Sequence, residues 1–193
     1  MTNNEERVQV ESRLEWRAWL EKNHQNESGV WLVIFKKHCG DKYVSYDDIV
    51  EEALCFGWVD SRPRKLDEDR SMLWLSPRKA GSGWSKLNKE RVERMTAAGL
   101  MTPTGLAKIE AAKQDGSWTA LDAIEALEIP PDLETALASY DSARQHFEAF
   151  PRSVKRSILE WIAAAKKPET RAKRVAETAH LAEDNIRANQ WRR

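Results

Sequence analysis

From Ser85 onward apolar residues recur at helical spacing, and the breaks between stretches fall mostly at glycine or proline. Ser85 can cap a helix to about Ala98 before Gly99, and Thr102 with Pro103 opens another that stops near Asp115 and Gly116. A short helix follows around Ala120 to Leu127. Pro131 suits the first turn of the next, and Asp141 or Ser142 can cap a segment that Pro151 ends. Two further stripes, Val154, Ile158, Trp161, Ile162, Ala165 and then Ala172, Val175, Ala176, Ala179, Ala182, Ile186, meet at Pro168 and predict a helical hairpin. Strands are thereby confined to the first 84 residues. A chain so divided reads as α+β: a small antiparallel or mixed sheet covered by helices, followed by a mostly helical C-terminal half.

The strands are equally constrained. Gly29 introduces VWLVIFKK, a β-branched and aromatic run that predicts a largely buried strand. Residues 58 to 76 read WVDSRPRKL, DEDR, SMLWLS, a hairpin with its turn near Asp67 to Arg70, and Pro63 makes the first of its strands an edge or interrupts it. Ser12 with Glu15 predicts a capping box ahead of a helix carrying Leu14, Trp16, Trp19 and Leu20. Ser45 with Asp48 opens another whose inner face is Tyr46, Ile49, Val50, Ala53, Leu54 and Phe56. Asp47, Asp48, Glu51 and Glu52 fall on the outer side. The expected division is an α+β domain over residues 10–98 and a helical region over 99–190 packed on it, the two forming one continuous domain in the alternative reading.

Charge narrows the classes of function. The 31 basic and 31 acidic residues cancel, but residues 115–150 hold eight acids against one base and residues 150–193 eleven bases against five acids. Net neutrality argues against a dedicated nucleic-acid binder, and the basic helices keep weak binding only as a third reading. No run approaches a membrane span, and the acidic N-terminal residues do not resemble a signal peptide, so a cytoplasmic location with reduced thiols is expected. Cys39 and Cys55 lie outside any CxxC spacing, and His24, His38, His146 and His180 share no i, i+4 pairing. No metal site or cofactor is expected, and each histidine reads as a surface or packing residue.

The candidate site is LWLSPRKAGSGWSKLNKERVER, residues 73 to 94. Gly81 and Gly83 allow close backbone approach, Arg78 and Lys79 bring cations, and Ser85 marks a helix N-terminus, where free N–H groups suit an anion. The spacing is not that of a P-loop. On the helix that follows, Leu87, Asn88, Arg91, Val92, Met95 and Ala98 share one arc, so Asn88 and Arg91 point inward and need partners. Either Arg91 pairs with a carboxylate such as Asp60, or Arg91, Asn88 and the loop hold an anionic ligand. The ligand-binding set is Asp60, Arg62, Arg78, Lys79, Ser82, Trp84, Ser85, Asn88 and Arg91, with Trp74 and Trp84 placed to stack on a ligand. An enzymatic alternative uses a pocket at Asp60 and Arg91, with Asp60 as acid or base and Cys55 as a weak second candidate.

The segments EWRAWL, VWLVIFKKH, EEALCFGWVDSR, SPRKAGSGWSKLNKERVERM, GLAKIEAAKQDGSW and SILEWIAAAKKPETRAKRV together resemble the bacteriocin-protection YdeI or OmpD-associated (OmdA) family, over roughly residues 10–180. The resemblance implies a non-enzymatic stress-protection protein acting against bacteriocins or cationic antimicrobial peptides. It also implies association with a porin, which the lack of an export signal does not favour. It supplies no catalytic residues; a small anionic ligand or a protein partner at Arg78 to Arg91 remains the reading of the residues themselves.

Overall fold

The computed structural model describes residues 7–25 and 27–190. Its elements run β1 (Arg7–Gln9), α1 (Arg13–Asn23), β2 (Val30–Phe35), a 3-10 turn (Lys37–Lys42), α2 (Tyr46–Cys55), β3 (Trp58–Lys65), β4 (Arg70–Pro77), α3 (Lys86–Ala97), α4 (Pro103–Gln114), α5 (Asp122–Glu125), α6 (Pro131–Ala138), α7 (Ala143–Ala149), α8 (Arg152–Ala163) and α9 (Pro168–Glu183). They fall into two compact units, one ending at Ala120 and one beginning at Leu121. The helix α4 therefore belongs with the sheet, whereas the sequence places a boundary after residue 98. The reason is a local dock. The Thr102 N–H (3.1 Å) and hydroxyl (2.6 Å) both donate to the carbonyl of Cys55 at the end of α2, which ties α4 to α2. At Gly105 the backbones come so close that an added Cβ would lie 2.2 Å from that same oxygen.

The first unit is a mixed four-stranded sheet of order β1-β2-β4-β3, with β1 parallel to β2 and the rest antiparallel. The side-chain period of two decides its faces. Val30, Leu32, Leu73 and Leu75 pack with Trp16, Leu20, Ile49 and Ala53 of the helices, while Trp31, Val33 and Met72 pack with Trp74 on the opposite face. Burial on both faces is why β2 reads as an unbroken apolar run. Pro63 sits where the sequence places it: β3 is an edge strand, and its register shifts between Asp60 and Pro63. The turn is closed by Asp67, whose carboxylate accepts from the Asp69 (3.0 Å) and Arg70 (2.7 Å) N–H groups.

The serine and threonine caps form as read. Ser12, Ser45, Ser85 and Thr102 each accept from the N–H three residues on. The Glu15 carboxylate reaches back to the N–H of Glu11 (2.8 Å). Leu14 on α1 is 77% exposed, and Leu87 and Ala98, placed by the wheel on the inward arc, are exposed as well. The larger departure is on α2. Glu51 and Glu52, assigned by the helical wheel to solvent, are buried beneath arginines from two other helices. Glu52 accepts from Arg13 Nε (2.6 Å) and Arg17 Nη1 (2.7 Å), and Glu51 from Arg13 Nη1 (3.0 Å) and Arg94 Nη2 (2.7 Å). Burial opposes the charge on Arg13, yet its bonds to Glu52 and Asp48 outweigh that and hold it above its ordinary value.

The second unit is helical throughout. Leu133, Leu137, Phe147, Ile158, Ile162 and Ala179 form its core, and α9 packs on α6, α7 and α8. The expected α8–α9 pairing is thus one of three contacts that α9 makes. On α9 the buried stripe is Val175, Thr178, Ala179 and Ala182, with Ala172, Ala176 and Ile186 outside. Arg171 grips Asp132 through Nε (2.7 Å) and Nη2 (2.9 Å), pinning α9 to α6. No helix among the described residues is long and apolar enough to cross a membrane.

Candidate functional site: a cationic pocket beside Trp84

The loop after β4 begins with Arg78, whose N–H donates to the carbonyl of Gly57 (2.9 Å). Its side chain does not extend into solvent, as a basic loop suggests, but is only 5% exposed. The guanidinium carbon lies 3.8 Å from the centre of the Trp84 ring. Nη2 donates to the carbonyls of Gly83 and Ser82, and Nε has no hydrogen-bond partner in the protein. Burial pushes the group down to about 10, with Asp60 acting in the opposite direction, so it is still cationic at neutral pH. An unmatched buried donor costs about 1 to 3 kcal/mol, more when charged.

Arg78 lines a small, open pocket between this loop and α4. Lys79 and Ser82 line it from the loop, Lys108 and Asp115 from the α4 segment, and Trp84 and Ser117 complete the surface. Trp84 is held in place by Trp118, 5.0 Å away centre to centre, and Lys89 and Lys113 lie near the second ring. The lining carries three cations and one carboxylate, and that carboxylate is already engaged. Asp115 accepts from the N–H groups of Gly81 (3.1 Å) and Ser117 (2.8 Å), and the Ser117 side chain, followed by these two, holds it below the usual range. The loop N–H that the sequence offers to a ligand is thus partly satisfied from within. The Ser85 hydroxyl is likewise taken up in accepting from Asn88 N–H (3.3 Å) and does not line the pocket.

The remaining sequence candidates lie elsewhere. Arg91 is buried, but it donates to Asn88 Oδ1 (2.8 Å) and to the carboxylate of Asp47, not to Asp60. Asp60 accepts from the Tyr46 hydroxyl (2.7 Å). Burial and that bond push Tyr46 up to about 12. Asn88 and Arg91 therefore serve a protein network joining α3 to α2, and neither lines the pocket. Arg62 lies over Trp74 (5.4 Å) and Trp31 (5.6 Å) on the far face of the sheet, so Trp74 stacks on a cation of the chain itself. Cys55 is fully buried, and burial, with Glu52 nearby, pushes its thiol up to about 11, the reverse of what a nucleophile needs.

Of the histidines, His24 packs on Phe56 and bonds Leu20 O, and His146 bonds Ala182 O. His38 is different. With Cys39 and Asp69 it forms a cluster that the sequence hides, because the carboxylate comes from a hairpin turn 31 residues after His38. In the basic C-terminal stretch, Arg152 and Lys155 donate to the Glu125 and Glu148 carbonyls, Arg156 and Arg171 pair with Glu125 and Asp132, and Arg174 caps Trp161. Lys166, Lys167 and Lys173 of the same stretch are exposed.

Two family models match the chain. Residues 8–108 match a domain of unknown function, DUF8412, and residues 126–185 match the family described as Bacteriocin-protection, YdeI or OmpD-Associated. The first match spans more than half of the chain, which therefore belongs to the DUF8412 family and carries a YdeI/OmpD-associated domain in its second half. The resemblance read over residues 10–180 is thus confined by that model to the second unit, while the pocket lies in the first. No curated protein and no solved structure matches the chain.

Proposed function

We propose that the chain is a non-enzymatic, cytoplasmic stress-protection protein that binds a small anion in the pocket formed by Arg78, Lys79 and Lys108. The single observation behind this is Arg78: a buried guanidinium that lines a pocket where two ammonium groups join it. An anion entering there offsets the desolvation of Arg78. The protective role rests on the family description of residues 126–185. Porin association has only that description behind it.

The reading is tested by thermal-shift and calorimetric titration with inorganic phosphate, sulfate, succinate and benzoate. The expected result is saturable stabilisation by at least one probe, weakened tenfold or more in Lys79→Ala/Lys108→Ala and unchanged in Arg91→Lys. If none binds, or the double variant binds as tightly, the pocket is not an anion site. The protective role is checked separately, by survival of bacteria with and without the chain under a cationic antimicrobial peptide.

A further inference from the structure

We infer that His38, Cys39 and Asp69 form a binding site for a borderline-soft divalent cation of the zinc type. Their three donor atoms lie within 4.8 Å of one another. His38 Nε2 is 3.0 Å from Asp69 Oδ1, and Cys39 Sγ donates to the Asp69 carbonyl at 3.6 Å. Two separate turns bring them together: the 3-10 turn after β2 presents the histidine and the thiol, and the β3–β4 turn presents the carboxylate.

The backbone of this cluster is fixed independently of the donors. Lys36 N–H donates to the Asp69 carbonyl (2.7 Å), and Cys39 N–H to the Lys36 carbonyl (2.9 Å). Gly40, at φ 62, turns the chain away immediately after the thiol. Lys36 Nζ is occupied by the carbonyls of Asp67 (2.9 Å) and Glu68 (2.5 Å).

The donor set selects the ion. Thiolate, imidazole and carboxylate together suit zinc and its neighbours rather than magnesium or calcium, which take oxygen ligands. A tetrahedral ion with bonds of about 2.0 to 2.3 Å separates its donors by about 3.3 to 3.7 Å. From a span of at most 4.8 Å the donors have about 1 Å to close, and the His38–Asp69 pair, 3.0 Å apart, opens slightly. On binding, the ion takes the place of the proton between His38 and Asp69, which moves to Nδ1 or to solvent. The thiol proton leaves to solvent as the metal–sulfur bond forms. Three protein donors leave a fourth position for water, and the site is partly exposed, so exchangeable binding is expected rather than a structural ion.

The test uses the untagged, reduced full chain titrated with zinc and cobalt(II) salts, read by calorimetry and near-ultraviolet absorption. One equivalent binds, and cobalt gives a thiolate charge-transfer band. Cys39→Ser retains Cys55 but loses the band and weakens zinc binding at least tenfold. His38→Gln and Asp69→Asn, with unchanged circular dichroism, each weaken it at least tenfold. No binding by the native chain, a band that survives Cys39→Ser, or affinity indifferent to the other two changes overturns the assignment.

Discussion

Replacing Glu52 by glutamine tests how the first unit is held together. The carboxylate is 2% exposed and accepts from two arginines of α1, at 2.6 and 2.7 Å. Removing one member of a fully buried ion pair costs about 3 to 5 kcal/mol, because the survivor is stranded. Here the survivors are partly wet, with Arg13 and Arg17 side chains 32% and 22% exposed. Arg13 also keeps Asp48 (2.6 Å), and Arg17 keeps the Leu100 carbonyl (3.1 Å). That brings the expected loss to about 2 kcal/mol. Urea unfolding followed by tryptophan fluorescence reads it, since seven of the nine tryptophans precede Leu121. Arg17→Leu/Glu52→Leu should be less damaging than the two single changes added together, because Arg17 and Glu52 leave together while Arg13 keeps Asp48 and Glu51. A loss below about 0.5 kcal/mol for Glu52→Gln, or strict additivity in the double variant, refutes the account of α1 docking by buried charge.

Thiol labelling of the native chain should modify Cys39 quickly and Cys55 only on unfolding, since Cys39 is partly exposed and Cys55 is buried; two fast thiols contradict the packing of α2. Asp48 is held below its ordinary value of 3.8: burial raises it, but the bonds from Ser45 and Arg13 prevail. A depressed folded value gives stability that is complete above 3.8 and lost as the pH falls through the folded value. Melting temperatures between pH 5 and 2 should therefore fall less steeply for Asp48→Asn than for the native chain, and parallel curves count against it. Leu14→Ser should change stability by less than about 0.5 kcal/mol while Trp16→Ala costs about 3 to 5 kcal/mol in the same unfolding assay; similar losses for both mean that the helix faces are wrongly assigned.

What could be read from the chain beforehand was whatever its near neighbours determine. The caps at Ser12, Ser45, Ser85 and Thr102 involve an oxygen and an N–H three residues apart, and Pro63 carries its edge position in its own missing donor. Glu51 and Glu52 were misplaced because the helical wheel ranks charge as solvent-facing, and their arginine partners come from positions at least 35 residues away. Arg78 looked exposed for the same reason, although Trp84, six residues later, was available to cover it. Inward polarity at Arg91 was correct, but the carboxylate that answers it is Asp47 and not Asp60. A periodicity argument finds a buried charge more readily than it finds the partner.

The contact at Gly105 bears on the pocket one turn further along α4. Lys108 and Asp115 line that pocket from a segment whose close approach to α2 requires the absence of a side chain at 105. The gap between the loop and α4 therefore has a gauge, and the gauge lies outside the lining. Any larger residue at 105 would push the wall back and change which ligands fit without touching one of them. Selectivity of the proposed anion site would thus drift through a position that a survey of pocket residues would pass over.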